Sequence, residues 1–374
     1  MNIFSLIVTS VLVVTHAYLY WNFRRILGGG YWQLAFFAIF AFMLILSFYR
    51  RRMAAQSEWL FLFDYYNYWL AFLIVATVGF FAADLVRVAA YIFDLISGYK
   101  IHYLLTAART GKYVLFFCLL LYGWSLHEAR AIGIAKVEIK TPLLPPGSDR
   151  LRIVALSDIH FASLVNATHL ARMVDLANAQ NPDITVLLGD IVDSDMTDKN
   201  REMELLQSLK GELGKFAVLG NHEVFTGLNH SADFLRASGF TLLRGEAVEA
   251  GGIVVAGVDD PYTRYRFDPV EALRDSDQNK FVLLLNHRPI IPEEALGRFD
   301  LQLSGHTHGG QIFPGHFFAK RFNGHSPGMT ELPAGRSGEK HSRLYLTTGT
   351  GFWGPPARLF APPEIVVVDL VRGD

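Results

Sequence analysis

The sequence predicts a helical membrane domain followed by a layered α/β domain, and three observations carry that prediction. The first third of the 374-residue chain is far more apolar and aromatic than the remainder. Its apolar runs, about Ile3 to Trp21, Tyr31 to Tyr49, Tyr68 to Val88 and Tyr113 to Leu126, approach or reach the roughly 20 residues a helix needs to cross a bilayer. Beyond a Pro/Gly-rich break, "TPLLPPGSD" at Thr141 to Asp149, strand-like apolar runs alternate with helix-like segments. The expected division is a membrane domain over 1–135 with about four helices, a linker with a first strand over 136–150, and the α/β domain over 151–374.

Three of the four runs have spanning length, and the last reaches it only by continuing toward Ile134. Tyr18, Tyr20, Trp21, Tyr31, Trp32, Trp59, Trp69, Tyr113 and Trp124 stand near run ends, where amphipathic rings prefer the headgroup level. The first run lacks a basic leader and a small-residue cleavage site, so it reads as a retained anchor. Trp59 to Ile96 is long for one helix and carries Asp64, Asp84, Arg87 and Asp94; a spanning helix followed by an interfacial one is the alternative. Asp84 and Arg87 have the spacing of an intrahelical ion pair. Arg24 with Arg25, Arg50 to Arg52, and Lys100 with Arg109 and Lys112 flank both faces, so the positive-inside rule gives no clear orientation. A cytoplasmic second domain follows if the N-terminus is inside.

A formal net charge of -1 predicts no nucleic-acid partner. The single cysteine, Cys118, lies in the fourth apolar run and reads as a small buried hydrophobe. The second domain therefore has no thiolate ligand, cysteine nucleophile or disulfide.

In the α/β part, "VEIK" alternates as a strand before the break. Then come "RIVALS", a helix from about Ala167 to Ala179, "ITVLLG", a helix near Glu202 to Leu209, "FAVLG" and a helix near Ala232 to Ala237. "GIVVAGV", a helix opening at Asp268-Pro269, "FVLLLN", "LQLSG", "RLYLTTG" and "EIVVVDL" follow. Pro269 and Pro292 suit a first helical turn, where the missing N–H costs nothing. This order predicts two central sheets or one large mixed sheet. Phe313 to Ser342 reads as one long irregular stretch, with Lys320, Arg321, His325, Arg336, Lys340 and His341 in it and Arg343 just beyond, and suggests either a basic lid or a solvated loop.

The chemistry gathers where apolar runs end. "RIVALS" leads into Asp158-Ile159-His160, "ITVLLG" into Asp190, "FAVLG" into Asn221-His222-Glu223, "FVLLLN" into His287, and "LQLSG" into His306-Thr307-His308. Ligands in such sheets collect past the carboxyl ends of strands. Carboxylate, amide and imidazole donors without thiolate suit Mn, Fe, Zn or Ni. There are too many for one ion, whereas two ions sharing a carboxylate suit phosphoryl chemistry.

The ordered motifs D-x-H, G-D-x-x-D, G-N-H-E, H and G-H-T-H resemble the calcineurin-like metallophosphoesterase superfamily over about Leu151 to Leu370. "SGHTHGGQ" with the later "PPARLFAPPEI" resembles its bacterial membrane-associated branch. The resemblance implies a four-layer α-β-β-α sandwich and a bacterial inner-membrane location. It implies one metal on Asp158, His160, Asp190 and His308, and a second, shared through Asp190, on Asn221, His287 and His306, with Mn favoured. His222 matches the family's phosphate-contacting histidine and general acid, and Glu223 an orienting position.

The implied reaction is in-line attack by a metal-bridging hydroxide on a phosphate ester or pyrophosphate, without a covalent intermediate. A bilayer-attached site favours a lipid or cell-envelope substrate. The alternatives are a soluble phosphodiester, a UDP-diacylglucosamine-type pyrophosphohydrolase, and a silent phospho-ligand sensor. Asp193 reads as a helix cap or a residue behind the ligands. Arg358 is a candidate for substrate phosphate or a structural salt bridge, and His169, His230, His316 and His325 read as surface residues.

Overall fold

The computed structural model describes residues 3–27, 30–55, 59–161, 164–193, 199–263, 267–335 and 340–373. The chain forms two compact units, Met1–His127 with Gly354–Leu359, and Glu128–Trp353 with Phe360–Asp374.

The first unit holds helices α1 (Ile3–Leu27), α2 (Tyr31–Ala55), α3 (Leu60–Ser97) and α4 (Ala107–Glu128). Among the described residues, three helices are long and apolar enough to cross a membrane: Leu6–Ile26, Tyr31–Tyr49 and Leu60–Ser97. The fourth apolar run forms α4 but is not among them. Trp59 to Ile96 does not divide into two helices: α3 runs unbroken for 38 residues. At the usual rise that is roughly 57 Å, well beyond a hydrocarbon core of about 30 Å. It stops at Gly98, whose left-handed conformation (φ 75°) returns an N–H to the Asp94 carbonyl.

Leu19, Phe23, Phe40, Leu73, Phe80 and Cys118 form the interior of this unit. Asp84 and Arg87 pair at 2.6 Å, and Tyr18 Oη donates to the same carboxylate at 2.5 Å. The pair thus ties α3 to α1 while neutralising a charge that is costly in a bilayer.

The second unit is built on two six-stranded sheets. One has the order β1 (Gly133–Thr141), β12 (Glu364–Arg372), β2 (Arg150–Leu156), β3 (Ile184–Leu187), β4 (Gly214–Ala217), β5 (Thr241–Leu242). The other has the order β10 (Gly328–Glu331), β11 (Arg343–Leu346), β9 (Leu301–Ser304), β8 (Val282–Asn286), β7 (Ile253–Val258), β6 (Glu246–Ala250). Two sheets, rather than one mixed sheet, follow from the burial pattern. Most central strands are apolar on both faces, so each face must be covered.

Ile153, Val186 and Val218 from the first sheet meet Val255, Leu283 and Leu303 from the second in a core between the sheets. On the outer face of the first sheet, Val154, Leu156 and Leu187 pack with α5 (Ala167–Asn178), α6 (Asn200–Gln207) and α7 (Asn221–Ala237). On the outer face of the second, Val254, Val282 and Leu284 pack with Leu273 and Ala295, beside the short α8 (Pro269–Ala272). The result is the expected α-β-β-α layering.

Several elements differ from their sequence-based bounds. The "VEIK" strand is longer and lies parallel to β12, the whole of β1 pairing with Glu364–Arg372. The Pro/Gly break is thus a loop inside the second unit. The helix expected near Ala232 to Ala237 lies in the second part of α7, which is kinked at Gly227 (φ 114°, ψ 94°); the first part opens at Asn221, where Glu223 accepts the Gly220 N–H. Phe313 to Ser342 is not structureless: it contains α9 (Gly315–Asn323) and β10. Arg336 lies outside the described residues.

Candidate metal centre

The second unit places the carboxyl ends of β2, β3, β4, β8 and β9 so that the residues following them converge. The turn after β2 carries Asp158 and His160, and the turn after β3 carries Asp190. His160 N–H donates to the Asp190 carbonyl at 3.0 Å, and Asp158 N–H to the Gly189 carbonyl at 3.1 Å. The two turns are therefore held together by backbone before any side chain acts.

Two groups of three candidate ligands result, Asp158 with His160 and His308, and Asp190 with His287 and His306, and a third, His160 with Asp193 and His222, overlaps the first; in each the donor atoms lie within 4.8 Å of one another. In the first, the Nε2 atoms of His160 and His308 are 3.1 Å apart, and His308 Nε2 is 3.5 Å from Asp158 Oδ1. In the second, His287 Nε2 is 3.2 Å from both Asp190 Oδ2 and His306 Nδ1. Asp190 Oδ2 also lies 3.8 Å from His160 Nε2, so one carboxylate oxygen borders both groups.

Facing imidazole lone pairs a hydrogen-bond length apart, backed by buried carboxylates and no thiolate, form a donor set that fits hard or borderline divalent cations. The His160 Nδ1 atom is buried without a hydrogen bond. His287 Nδ1 lies 2.8 Å from the Leu188 carbonyl, which fixes the ring with Nε2 facing Asp190.

The backbone is strained where it presents these groups. Asp158 (φ 53°), His160 (φ 51°), Asp190 (φ 52°), His306 (φ 73°) and His308 (φ 49°) all adopt the left-handed conformation that non-glycine residues rarely enter. Five such residues in one small volume indicate a functional constraint. Neighbouring glycines make the geometry possible: a Cβ on Gly220 would collide with the Asp190 carboxylate, and one on Gly305 with Ser157 and Asp158. Gly220→Ala is therefore expected to displace Asp190 and lower metal content while leaving the far-ultraviolet circular dichroism unchanged, a result checked by elemental analysis of the purified variant.

Charge in the cluster is compensated internally. Burial opposes protonation of His287, but the charges of Asp190, Asp158 and Asp260 and the Asp190 hydrogen bond outweigh it and push its pKa up to about 10. His306 is pushed down to about 3 by burial and by the charges of His287 and Arg288, so it stays neutral and able to ligate. Asp190 is held well below the carboxylate range, its burial outweighed by His287, His160 and His222.

Around this centre, Asn221 is buried at the start of α7, its Oδ1 3.4 Å from Arg288 Nη2. His222 N–H donates to Asp190 Oδ1 at 2.8 Å, and His222 Nε2 lies 4.0 Å from Asp190 Oδ2. His222 Nδ1 meets Asp193 Oδ1 at 2.5 Å, placing Asp193 behind the histidine. Burial disfavours the imidazolium, yet the Asp193 hydrogen bond and the charges of Asp190, Asp193 and Glu223 raise its pKa above the usual value.

Glu223, fully buried, accepts backbone N–H bonds from Gly220 (2.7 Å), Asp190 (3.0 Å), Ile191 (2.7 Å) and Val192 (3.1 Å). It clasps the turn after β3 to the start of α7. Arg358 belongs to the helical unit, where it is fully buried and its N–H donates to the Ser125 carbonyl at 2.9 Å. His169 is half-buried rather than a surface residue, and burial lowers its pKa to about 4. His230 is exposed.

Arg288 was not legible as a site residue. It pairs with the buried Asp260 at 2.5 Å, stacks over Tyr262, and reaches Asn221. Only its position directly after His287 could have signalled this.

A family model for calcineurin-like phosphoesterases matches residues 151–310. The chain is similar to an "Uncharacterized metallophosphoesterase" of Aquifex aeolicus, 39% identical over 263 residues, covering 68% of this chain and 98% of that relative. A relative in Campylobacter jejuni, also described as an uncharacterized metallophosphoesterase, is 34% identical over 67% of this chain and 66% of its own length. A "Transmembrane protein with metallophosphoesterase domain" of Danio rerio is 33% identical over 67% of this chain and 60% of its own length.

Proposed function

The chain belongs to the calcineurin-like phosphoesterase family, and from that membership we propose that it is a membrane-anchored, dinuclear-metal hydrolase of a phosphate ester or pyrophosphate. The observation that carries the proposal is the pair of ligand groups meeting at Asp190 Oδ2, presented from strained left-handed positions. Asp158, His160, Asp190 and His308 would hold one divalent ion. Asp190, Asn221, His287 and His306 would hold the second, and manganese is the favoured metal. Bound there, two such ions would lower the pKa of a water toward neutral and draw charge from the non-bridging phosphate oxygens.

The chain's own residues do the remaining work. His222, hydrogen-bonded to Asp193 and with its pKa raised by that bond and the neighbouring carboxylates, donates the proton that the leaving oxygen requires. The Asp193 contact at Nδ1 orients the ring and leaves Nε2 facing the cluster. Arg288, held by Asp260 beside Asn221, offers a fixed guanidinium to a phosphate oxygen. Glu223 fixes the backbone that presents Asp190 and is a positioning residue.

The three apolar helices attach this centre to a bilayer, which raises the local concentration of membrane-borne substrates. A phospholipid, a lipid-linked pyrophosphate or a cell-envelope phosphodiester at a bacterial inner membrane is therefore the leading substrate class. A soluble phosphodiester, with the helices acting only as an anchor, is the second reading. The test is hydrolysis of a chromogenic phosphodiester and its monoester by detergent-purified full chain, stripped of metal and resupplied with Mn. The expected result is activity that disappears on stripping and returns with the metal. Wild-type protein that retains full activity after complete stripping would overturn the proposal.

A further inference from the structure

The second unit carries a surface that the phosphoesterase chemistry does not explain. Helix α9 directly follows the His306–His308 turn, and Gly310 and Gly315 touch backbone to backbone, so the helix is pinned against the metal motif. None of its residues is buried. Phe317 is 62% exposed, Phe318 61% and Phe322 82%. Phe313 packs edge-on against Phe317, with ring centroids 6.2 Å apart, and against Phe360 at 5.9 Å.

Phe360 adds an independent observation. It is 65% exposed and has φ 60°, a left-handed conformation unfavourable for a bulky residue. The chain thus tolerates backbone strain to hold an aromatic ring out in solvent. On the other side of the motif, Gln311 and Trp353 exchange two 3.0 Å hydrogen bonds between the Gln311 side chain and the Trp353 backbone. The exposed Trp353 ring stacks edge-on against His222 at 5.6 Å. Exposed aromatics therefore stand both beside His222 and along α9, and the cluster of Phe313 with the exposed Phe317 and Phe360 is the kind of apolar surface that marks an interaction site.

The charge of this segment selects the occupant. From Gly305 to Thr330 the sequence contains Lys320 and Arg321 but no Asp or Glu. Both basic residues lie in the last turn of α9 and are exposed between Phe318 and Phe322. Phenylalanines and snorkelling cations on one short helix suit the boundary between acyl chains and anionic headgroups. The same chain carries three candidate spans, so a bilayer is always within tethered reach.

We propose that α9, with Phe313 and Phe360, inserts into the surface of an anionic bilayer and presents the adjacent metal centre to phosphate groups of lipid substrates. This deepens the reading of the chain as a membrane-anchored phosphoesterase and rests on it for the substrate class. Insertion draws the headgroup layer up to the centre, and the aromatic rim from Trp353 to Phe317 accommodates the start of the acyl region. A soluble substrate has no use for this surface.

The test uses full chain with Cys118→Ala, and with Phe318→Cys or Phe322→Cys carrying a nitroxide, reconstituted in vesicles of phosphatidylethanolamine and phosphatidylglycerol. Electron paramagnetic resonance then compares collision with oxygen, which concentrates in lipid, and with a water-soluble nickel chelate. Both labels are expected to favour oxygen, whereas a label at Asp233→Cys, on the exposed side of α7, favours nickel. Replacing phosphatidylglycerol with phosphatidylcholine is expected to weaken the oxygen preference. Nickel preference at both α9 positions would overturn the proposal, as would labels immobilised and shielded from both reagents, the signature of a protein partner. Because the measurement needs no turnover, aqueous labels in an active enzyme reject the surface alone, and inserted labels in a protein without metal-dependent hydrolysis reject the catalytic reading alone.

Discussion

Glu223→Leu is expected to destabilise the second unit by about 4 kcal/mol, because it leaves four buried backbone N–H groups without acceptors at roughly 1 kcal/mol or more each. Those donors belong to Gly220, Asp190, Ile191 and Val192, and no water can replace the carboxylate in a fully buried position. For a unit of this size such a loss lowers the thermal midpoint by about 10 °C. The measurement is near-ultraviolet circular dichroism of the detergent-purified full chain on heating. A midpoint within about 2 °C of wild type, combined with a large loss of turnover, would contradict the positioning role and make Glu223 a participant in the chemistry.

His222→Ala is expected to behave in the opposite way. Its removal leaves the ligand groups around Asp158 and Asp190 intact, so metal content and thermal midpoint stay near wild type. Turnover is expected to fall by about 10²–10⁴-fold, the usual contribution of a positioned proton donor. The loss depends on the leaving group: a nitrophenolate departs without help, whereas an alkoxide needs the proton. Comparing a nitrophenyl with an alkyl phosphodiester therefore separates the proton-donor role from simple phosphate binding, which would weaken both substrates equally. The Asp193 contact at 2.5 Å orients His222, so Asp193→Asn is expected to lower turnover in the same leaving-group-dependent way but less severely.

Much of this arrangement was legible because donors follow apolar strand runs. Asp158, Asp190, His287 and His306 each follow a run whose burial is written in its composition, and strand ends gather ligands in such sheets. Four apolar runs likewise became four helices, although α4 falls outside the three that are long and apolar enough to cross a membrane.

What was not legible depends on contacts between distant residues. The pairing of β1 with β12 joins positions far apart in the chain, and no local periodicity encodes it. Arg288 owes its place to Asp260 and Asn221, neither of which is its sequence neighbour. The first part of α7, ahead of the Gly227 kink, opens on the polar Asn221-His222-Glu223 and has no apolar period to mark it. Helix α9 is only nine residues long, opens on Gly315 after Pro314 and buries none of its residues, so it stands out little from a loop in the sequence. The left-handed ligand positions could not be anticipated either, since Asp and His in a motif do not announce their backbone angles.

The central claim is that Asp190 joins two metal sites, and metal stoichiometry tests it most directly. Full chain purified in detergent, stripped with chelator, loaded with Mn and freed of excess, is expected to hold two ions, and Asp190→Asn to retain at most one while keeping its fold. Two ions in the variant, or one in the wild type, would contradict a shared carboxylate at the heart of the centre.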